Sequence, residues 1–495
     1  MRFNISVQSY HEIASLFPNS LPRAHEIQNL KKSLEIIPVN STDCSVEGAE
    51  CDFVKLLSET IRKLLNKDPT RFTTNKVKVK ISLDGAKYSR TSNFCILSFT
   101  VLCGGREFNQ SNVQVVSVIK AEETYENIAE GMRISLQQIN ALIAKPNIVI
   151  YDEVYDLEFF LCSDYKMILM LMGLKQASCK YACVWCKVED SNRWDTDVND
   201  SMYLVKKRRT LKSLYNDYEK KQYCCKRLPL LQIELDHVIP DELHLLLRIT
   251  DVLLRNLIST AVAHDKCEMR SKWKLNKGPM INSILKNIRR CGIPFNIWNN
   301  NEENKSAFTF TSLPGYRKKN LLKFFPSRIP LCQPQSTPDQ PGADKVKKLW
   351  EDFKDTYDII SSKNPLIDYN RLHEKAKKWV DDFTKLRSLN AGYRPKYITP
   401  YMHVMMYHAP HFIRMYGNLK QFTCQAIEKK NDVCKSIYFK SSNKLNPTVD
   451  IVKHELRIKK VMEYARRKRS YAQRSTEQKN GSKMSQSRAK RRRTE

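Results

Sequence analysis

The sequence predicts an α/β protein in which a mixed sheet, formed early in the chain, is interrupted by a large, mainly helical insertion. Three observations predict it. At Lys76 the apolar spacing changes from helical to alternating. Three strand-like segments, a helix and further strand then follow in that order. From about residue 175 to 390 the pattern is mostly helical and irregular, and a Cys-x2-Cys pair lies near its start.

The elements follow in chain order. Residues 1–75 read as a helical N-terminal segment: FVKLLSETIRKLL, Phe53 to Leu65, carries apolar residues at helical spacing and Pro69 closes it. In 76–174, Val77, Val79, Ile81 and Leu83 alternate with Lys78, Lys80 and Ser82, the pattern of a half-buried strand that is expected to end at Asp84-Gly85. Asn93 to Cys103 and Val113 to Ile119 are two more strands, and GGRE between them predicts a hairpin. Glu122 to Ala144 is helical. NIVIY and LEFFLC are extended, the second running into Ser163-Asp164. In 175–398 long helical stretches appear at Ile239 to Ala261 and Asp344 to Leu389, with a loop from Pro330 to Pro341. In 399–440, Thr399-Pro400 opens a helix with Thr as cap and Pro in the first turn, and a last helix runs from about Asn418 to Ile437. The remainder, 441–495, reads as a basic, disordered tail.

Composition narrows the partners. The chain of 495 residues has 84 Lys+Arg against 53 Asp+Glu, a net charge of +31, which points to an anionic partner. No apolar run approaches the ~20 residues of a membrane span; the longest, Met167 to Leu174, is far too short, and no secretory signal is visible. The 15 cysteines are scattered, so a close pair suggests metal rather than a disulfide framework. Arg466-Arg467-Lys468-Arg469 and the run from Arg488 to Arg493 read as a nuclear address or a nucleic-acid arm.

Several residues carry chemistry. Asp84 follows an apolar strand, where a carboxylate can project into a cleft with its position fixed; taken alone, Asp-Gly reads first as a turn. Asp164 follows another extended stretch and precedes a helix, where an Asp is an ordinary cap. Cys183 and Cys186 can hold one Zn²⁺ with two further ligands. His403 and His408 can complete the set. Five residues apart, they lie about 140° out of phase on an ideal helix. Pro410 crowds the carbonyl of Met406, so a kink or break is expected, a distortion that can bring the imidazoles together. Glu428 lies on the final helix with Asp432 as its competitor. His373, His411 and His454 are taken as packed or solvated.

The order strand-Asp, strand-Asp, C-x2-C, H-x4-H, helix-Glu resembles the RAG-like recombinases, the large subunit of the V(D)J recombinase and its Transib-type transposase relatives. Three segments carry the resemblance over roughly residues 76–440: ISLDGAK with FCILSFTVL, SDYKMILMLMGLKQASCKYACVWC, and YITPYMHVMMYHAPHFIRMYGNLKQFTCQAIEKKND. It implies an RNase H-like sheet whose third carboxylate is separated from the second by a helical zinc-binding insertion. Asp84, Asp164 and Glu428 then become ligands of two catalytic Mg²⁺ or Mn²⁺ ions, and Cys183, Cys186, His403 and His408 bind a structural Zn²⁺. The implied activity is nicking of double-stranded DNA with water, followed by attack of the freed 3′-hydroxyl on the opposite strand to leave a hairpin. The resemblance also implies a nuclear homodimer and leaves room for a regulatory second subunit. The short stretch ahead of Asp84 leads to the expectation that the family's terminal-repeat-binding domain is missing. The family's base-stacking aromatic has Trp350 and Tyr357 as candidates. The competing expectation is a domesticated, catalytically silent nuclear DNA-binding protein of the same fold.

Overall fold

Seven strands, β1 (Val39–Ser41), β2 (Gly48–Cys51), β3 (Lys76–Lys87), β4 (Asn93–Leu102), β5 (Gln114–Ile119), β6 (Asn147–Ile150) and β7 (Glu153–Leu161), form one mixed sheet. Their order is β1-β2-β5-β4-β3-β7-β6. All pairings are antiparallel except that of β3 with β7. The computed structural model describes residues 5–34, 37–72, 74–103, 110–199, 202–299, 308–332, 341–364 and 368–463. The GGRE turn, both basic clusters and most of the Pro330–Pro341 segment lie outside them.

Alternation in β3 decides what each face of the sheet meets. Val77, Val79, Ile81 and Leu83 are fully buried on one face, together with Phe99 and Phe159. The Phe53–Lys67 helix covers this face through Phe53, Leu56, Leu57, Ile61 and Leu65, and the Phe53 ring meets Phe99 edge-on at 5.2 Å. The opposite face carries Lys78, Lys80, Ser82 and Asp84. It is covered by residues from the far end of the sequence: Phe422 packs on Phe160 at 4.9 Å, and Lys80 Nζ donates to the Thr423 carbonyl at 2.9 Å. Lys80 and Ser82 are therefore buried as well, so the strand expected to be half-buried is covered on both faces.

The strand does not end at Asp84. Pairing with β4 continues to Lys87 opposite Asn93, whereas pairing with parallel β7 stops at Ile81 opposite Leu161. Beyond that point the Cys162 N–H donates to the Ile81 carbonyl and the Leu83 N–H to Ser163 Oγ, at 3.0 and 2.9 Å. A parallel pair that opens at its carboxyl end leaves a crevice there, and Asp84 and Asp164 both lie at its mouth. β6 and β7 form a hairpin whose two turn residues, Tyr151 and Asp152, have φ of 52° and 64°, as a type I′ turn needs.

Two expectations about the ends of the chain change. The N-terminal segment supplies two strands, β1 and β2, besides its helices. The Pro447–Glu463 segment, expected to be part of the tail, is a helix lying against β5 and β2 with Ile451 and Val452 fully buried. It reads as polar because it also buries charge: Glu455 pairs with Lys430 of the preceding helix at 2.7 Å, both nearly inaccessible. The insertion is mainly helical. Its longest described helix runs from Glu242 to Met269, and β8 (Ile297–Asn299) pairs antiparallel with β9 (Phe308–Phe310). No helix among the described residues is long and apolar enough to cross a membrane.

Candidate metal centre and carboxylate cluster

The Cys/His set comes together. Cys183, Cys186, His403 and His408 are buried, and their ligand atoms all lie within 4.8 Å of one another. Cys183 Sγ is 3.3 Å from His408 Nε2, and Cys186 Sγ is 3.3 Å from His403 Nε2. Two thiols and two imidazoles at these distances are the donor set that tetrahedral Zn²⁺ takes, so the cluster can bind a metal such as zinc. Burial opposes charge on both thiols. Contact with the Cys186 thiol and with the imidazoles of His408 and His403 nevertheless draws Cys183 well below the usual thiol range, while Cys186 is held well above it.

The phase problem between the histidines is solved by a helical turn rather than a break. Pro400–His403 is α-helical, Val404–His408 is a π-helical turn, and Ala409–Tyr416 is α-helical again. A π turn closes i to i+5, so residues five apart share a face. Pro410 contributes as expected, since it has no N–H to offer the carbonyl of Met406. That carbonyl accepts instead from His373 Nδ1 at 2.6 Å, which gives His373 a structural task. The knuckle is anchored by Tyr165, whose hydroxyl donates to the Ala182 carbonyl at 2.8 Å, and by Trp185, whose indole N–H donates to the Val238 carbonyl at 2.7 Å.

Asp164 directly precedes Tyr165. It caps the Tyr165–Leu171 helix, with Oδ1 accepting from the Met167 N–H at 2.7 Å. Asp84 lies nearby on β3, and its Oδ2 accepts from Asn431 Nδ2 at 2.5 Å. Burial, together with the negative charges of Asp164, Glu428 and Glu123, pushes the Asp84 carboxyl up to about 7 against the relief given by His244. Glu428 stands one turn before Asn431 on the Gln425–Lys440 helix and is also raised, by burial and by Asp241 and Asp432. Asp432, the competing ligand, is exposed. Asp164 and Glu428 both act electrostatically on Asp84. Among the described residues, however, only the Cys/His set has all its ligand atoms within 4.8 Å.

Four further residues complete this cluster. His244 Nε2 lies 4.0 Å from Glu428 Oε1, and its Nδ1 meets Asp241 Oδ2 at 2.6 Å. Burial disfavours the imidazolium, but Asp241, Asp164 and Glu428 outweigh it and raise His244 to about 9, so it is cationic at neutral pH. Asp241 caps the Glu242–Met269 helix and also accepts from the Cys424 N–H at 2.8 Å, which fixes the start of the Glu428 helix against the start of the His244 helix. Glu123 pairs with Lys166 at 3.0 Å and lies against Gly85, where a Cβ would stand 2.8 Å from its Oε2. Asn431 holds Asp84. The one readable trace is Asp241-Glu-Leu-His244, a cap with a His three residues on.

The two aromatic candidates are not available for stacking. Trp350 is fully inaccessible, and Tyr357, 3% exposed, gives its hydroxyl to Glu242 Oε2 at 2.6 Å. Both are core, because the Pro341–Ile360 helix turns them inward.

Compared with models of known protein families and with curated proteins, the chain matches none.

Two predictions follow from this geometry. Cys183→Ser leaves a buried tetrad one thiolate short, so zinc content measured by mass spectrometry is expected to fall from about one per chain to near zero, with a lower thermal midpoint. Retention of the zinc would remove the assignment. The second concerns pH. The folded-state carboxyl of Asp84 lies above its unfolded value of about 3.9, so its contribution to stability is present in full below that value and is lost as pH rises through about 7. Without divalent cations, the thermal midpoint should decline between pH 5 and 8, and Asp84→Asn should flatten that decline.

Proposed function

We propose that this chain is a DNA nuclease and strand transferase of the RAG-like, Transib-type kind, acting in the nucleus, with an RNase H-like core and a two-cation site on Asp84, Asp164 and Glu428. The observation that carries the reading is the charge imbalance at the crevice. A half-buried strand carboxylate feels the negative charges of Asp164, Glu428 and Glu123, with the His244 imidazolium as a counter-charge. Stacked carboxylates resist ionisation unless a cation joins them. The donor set is all oxygen, which suits Mg²⁺ or Mn²⁺ and not a thiophilic metal. These residues therefore fit such ions.

When bound, divalent cations supply a nucleophilic water and stabilise charge on the phosphoryl oxygens. The chain's own residues set the frame. β3 holds Asp84 rigidly, and Asn431 orients one of its oxygens. The cap bond to Met167 fixes the Asp164 side chain and leaves its second oxygen for other partners. Glu428 stands at the rim, with 42% of its side chain exposed. His244, oriented by Asp241, presents positive charge to the place where the phosphodiester must lie. The fall of the sheet's polar face under the last helices supports an RNase H-like arrangement, and the buried Cys/His tetrad supports the zinc-bearing insertion that such a family inserts ahead of its final carboxylate.

The test is nicking of duplex DNA with Mg²⁺ or Mn²⁺. Glu428→Gln should eliminate nicking, by about two orders of magnitude or more, while DNA affinity changes little. A wild-type chain that binds DNA and nicks no substrate with either metal would instead support the silent, domesticated binder. Binding should depend steeply on salt, with a slope of about −0.9 per phosphate contact. Removing residues 464–495, which leaves the packed Pro447–Glu463 helix whole, should make that slope shallower. An unchanged slope would show that the tail makes no phosphate contacts.

A further inference from the structure

The backbone around the Cys183 knuckle holds two thiols that the tetrad does not use. Cys179 and Cys224 are both half-buried, and they lie on segments bound together from two sides. On one side, Leu174 bridges Cys225 in antiparallel fashion and the Lys175 N–H donates to the Cys224 carbonyl at 2.9 Å. On the other, the rings of Tyr181 and Tyr223 meet edge-on at 5.0 Å. Buried Arg209 closes the frame by donating to the carbonyls of Tyr181 and Tyr223 at 3.2 and 2.9 Å. Cys179 sits between these anchor points, with Cys224 beside it.

The segment that carries Cys224 is held in a costly conformation. Lys221, Tyr223 and Cys224 have φ of 53°, 49° and 64°, and none of them is Gly. The bonds from Arg209 keep the loop in that shape, and the two adjacent thiols part company as a result. Cys225 is buried, with its Sγ 3.7 Å from Arg209 Nη1, whereas Cys224 meets Cys179. Cys183 and Cys186 are turned away to the imidazoles of His408 and His403. Cys179 and Cys224 are therefore left to each other. Burial, and then the hydrogen bond to Cys224, raise the Cys179 thiol to about 12, so Cys179 keeps its proton and directs it at the Cys224 sulfur.

We propose that Cys179 and Cys224 form a redox-sensitive dithiol, a modification site that a hydroperoxide closes to a reversible disulfide. The Cys224 sulfur, as thiolate, attacks the peroxide; an S–O bond forms, the O–O bond breaks, and the departing oxygen takes up a proton and leaves as water, or as an alcohol from an organic peroxide. Cys224 is then a sulfenic acid. The Cys179 sulfur attacks it; the S–S bond forms, the S–O bond breaks, and hydroxide leaves as water with the Cys179 proton. The two sulfurs have lost two electrons and the peroxide has gained them. A thiol reductant reverses the step by exchange. The link ties the backbone four residues ahead of Cys183 to the loop that Arg209 holds, so the knuckle is fastened by a covalent bond independent of its metal. None of this depends on the DNA-processing reading.

The experiment treats the full chain, purified with zinc, with hydrogen peroxide, blocks the remaining thiols by alkylation and digests it without reductant for mass spectrometry. The expected product is a peptide pair joined through Cys179 and Cys224, with zinc content unchanged and the link lost on adding dithiothreitol. Cys179→Ser, a change at a half-buried side chain, should leave Cys224 as a sulfenic acid that dimedone traps. Cys224→Ser should label at Cys179 at least about fivefold less, since a thiol that keeps its proton is a poor nucleophile. Recovery of Cys179 and Cys224 as free, alkylated thiols after peroxide would overturn the proposal. So would a Cys183–Cys186 link with loss of zinc while Cys179 and Cys224 stay free. Equal dimedone labelling of the two variants would overturn the assignment of Cys224 as the attacking sulfur.

Discussion

The polar face of β3 has to be covered by something that accepts hydrogen bonds, and the arrangement of the carboxylate cluster depends on what does so. Lys80 points from that face into the interior at 2% exposure. A buried ammonium without an acceptor is costly, and its acceptor is the carbonyl of Thr423. That carbonyl lies just ahead of the helix that carries Glu428 and Asn431, so the bond that satisfies Lys80 also sets that helix over Asp84. Asp241 secures the same helix from the other direction through the Cys424 N–H. Two buried charged groups, from the first strand of the central pair and from the insertion, thus converge on residues 423 and 424.

The Cys/His tetrad and the carboxylates are mechanically joined. Asp164 and Tyr165 are neighbours in sequence; one contributes to the acidic crevice and the other bonds the knuckle backbone. On the far side, the stretch that carries both histidines leads through a short loop into the Glu428 helix. A metal bound at the tetrad would clamp the two chain segments that deliver the second and third carboxylates, although it touches neither carboxylate itself.

Much of this was visible in the sequence, and the parts that were not share a physical cause. The alternation in β3 and the apolar runs of β4, β5 and β7 locate those strands, because each strand carries its burial pattern within itself. Cys183, Cys186, His403 and His408 are legible from the sequence, except that it points to a kink or break where the structure has a π turn; the effect of Pro410 is legible too, but not the His373 bond that accommodates it. β1 and β2 were missed because three or four residues cannot establish a period. The Pro447–Glu463 helix was missed because its buried Glu455 looks like surface charge until Lys430 is beside it. His244 and Asn431 escape a sequence reading for the same reason: each joins the cluster through a carboxylate far along the chain, His244 beside Glu428 and Asn431 on Asp84 at a separation of 347. Asp84 itself was placed correctly next to a strand but not within it, since the alternation of apolar residues stops at Leu83 while the backbone pairing does not.

The separation of the tetrad's halves has a consequence for how the chain is made. Cys183 and His408 are 225 positions apart, so no metal can be fully enclosed until the ribosome has released the second histidine. Until then the knuckle is two thiols on a growing chain, open to oxidation and to exchange of any loosely held ion. Domains emerging during synthesis fold as units, yet this insertion cannot close as one before its downstream neighbour appears. Supply of the metal during translation, rather than its affinity for the finished protein, would then govern how much of the chain reaches the folded state.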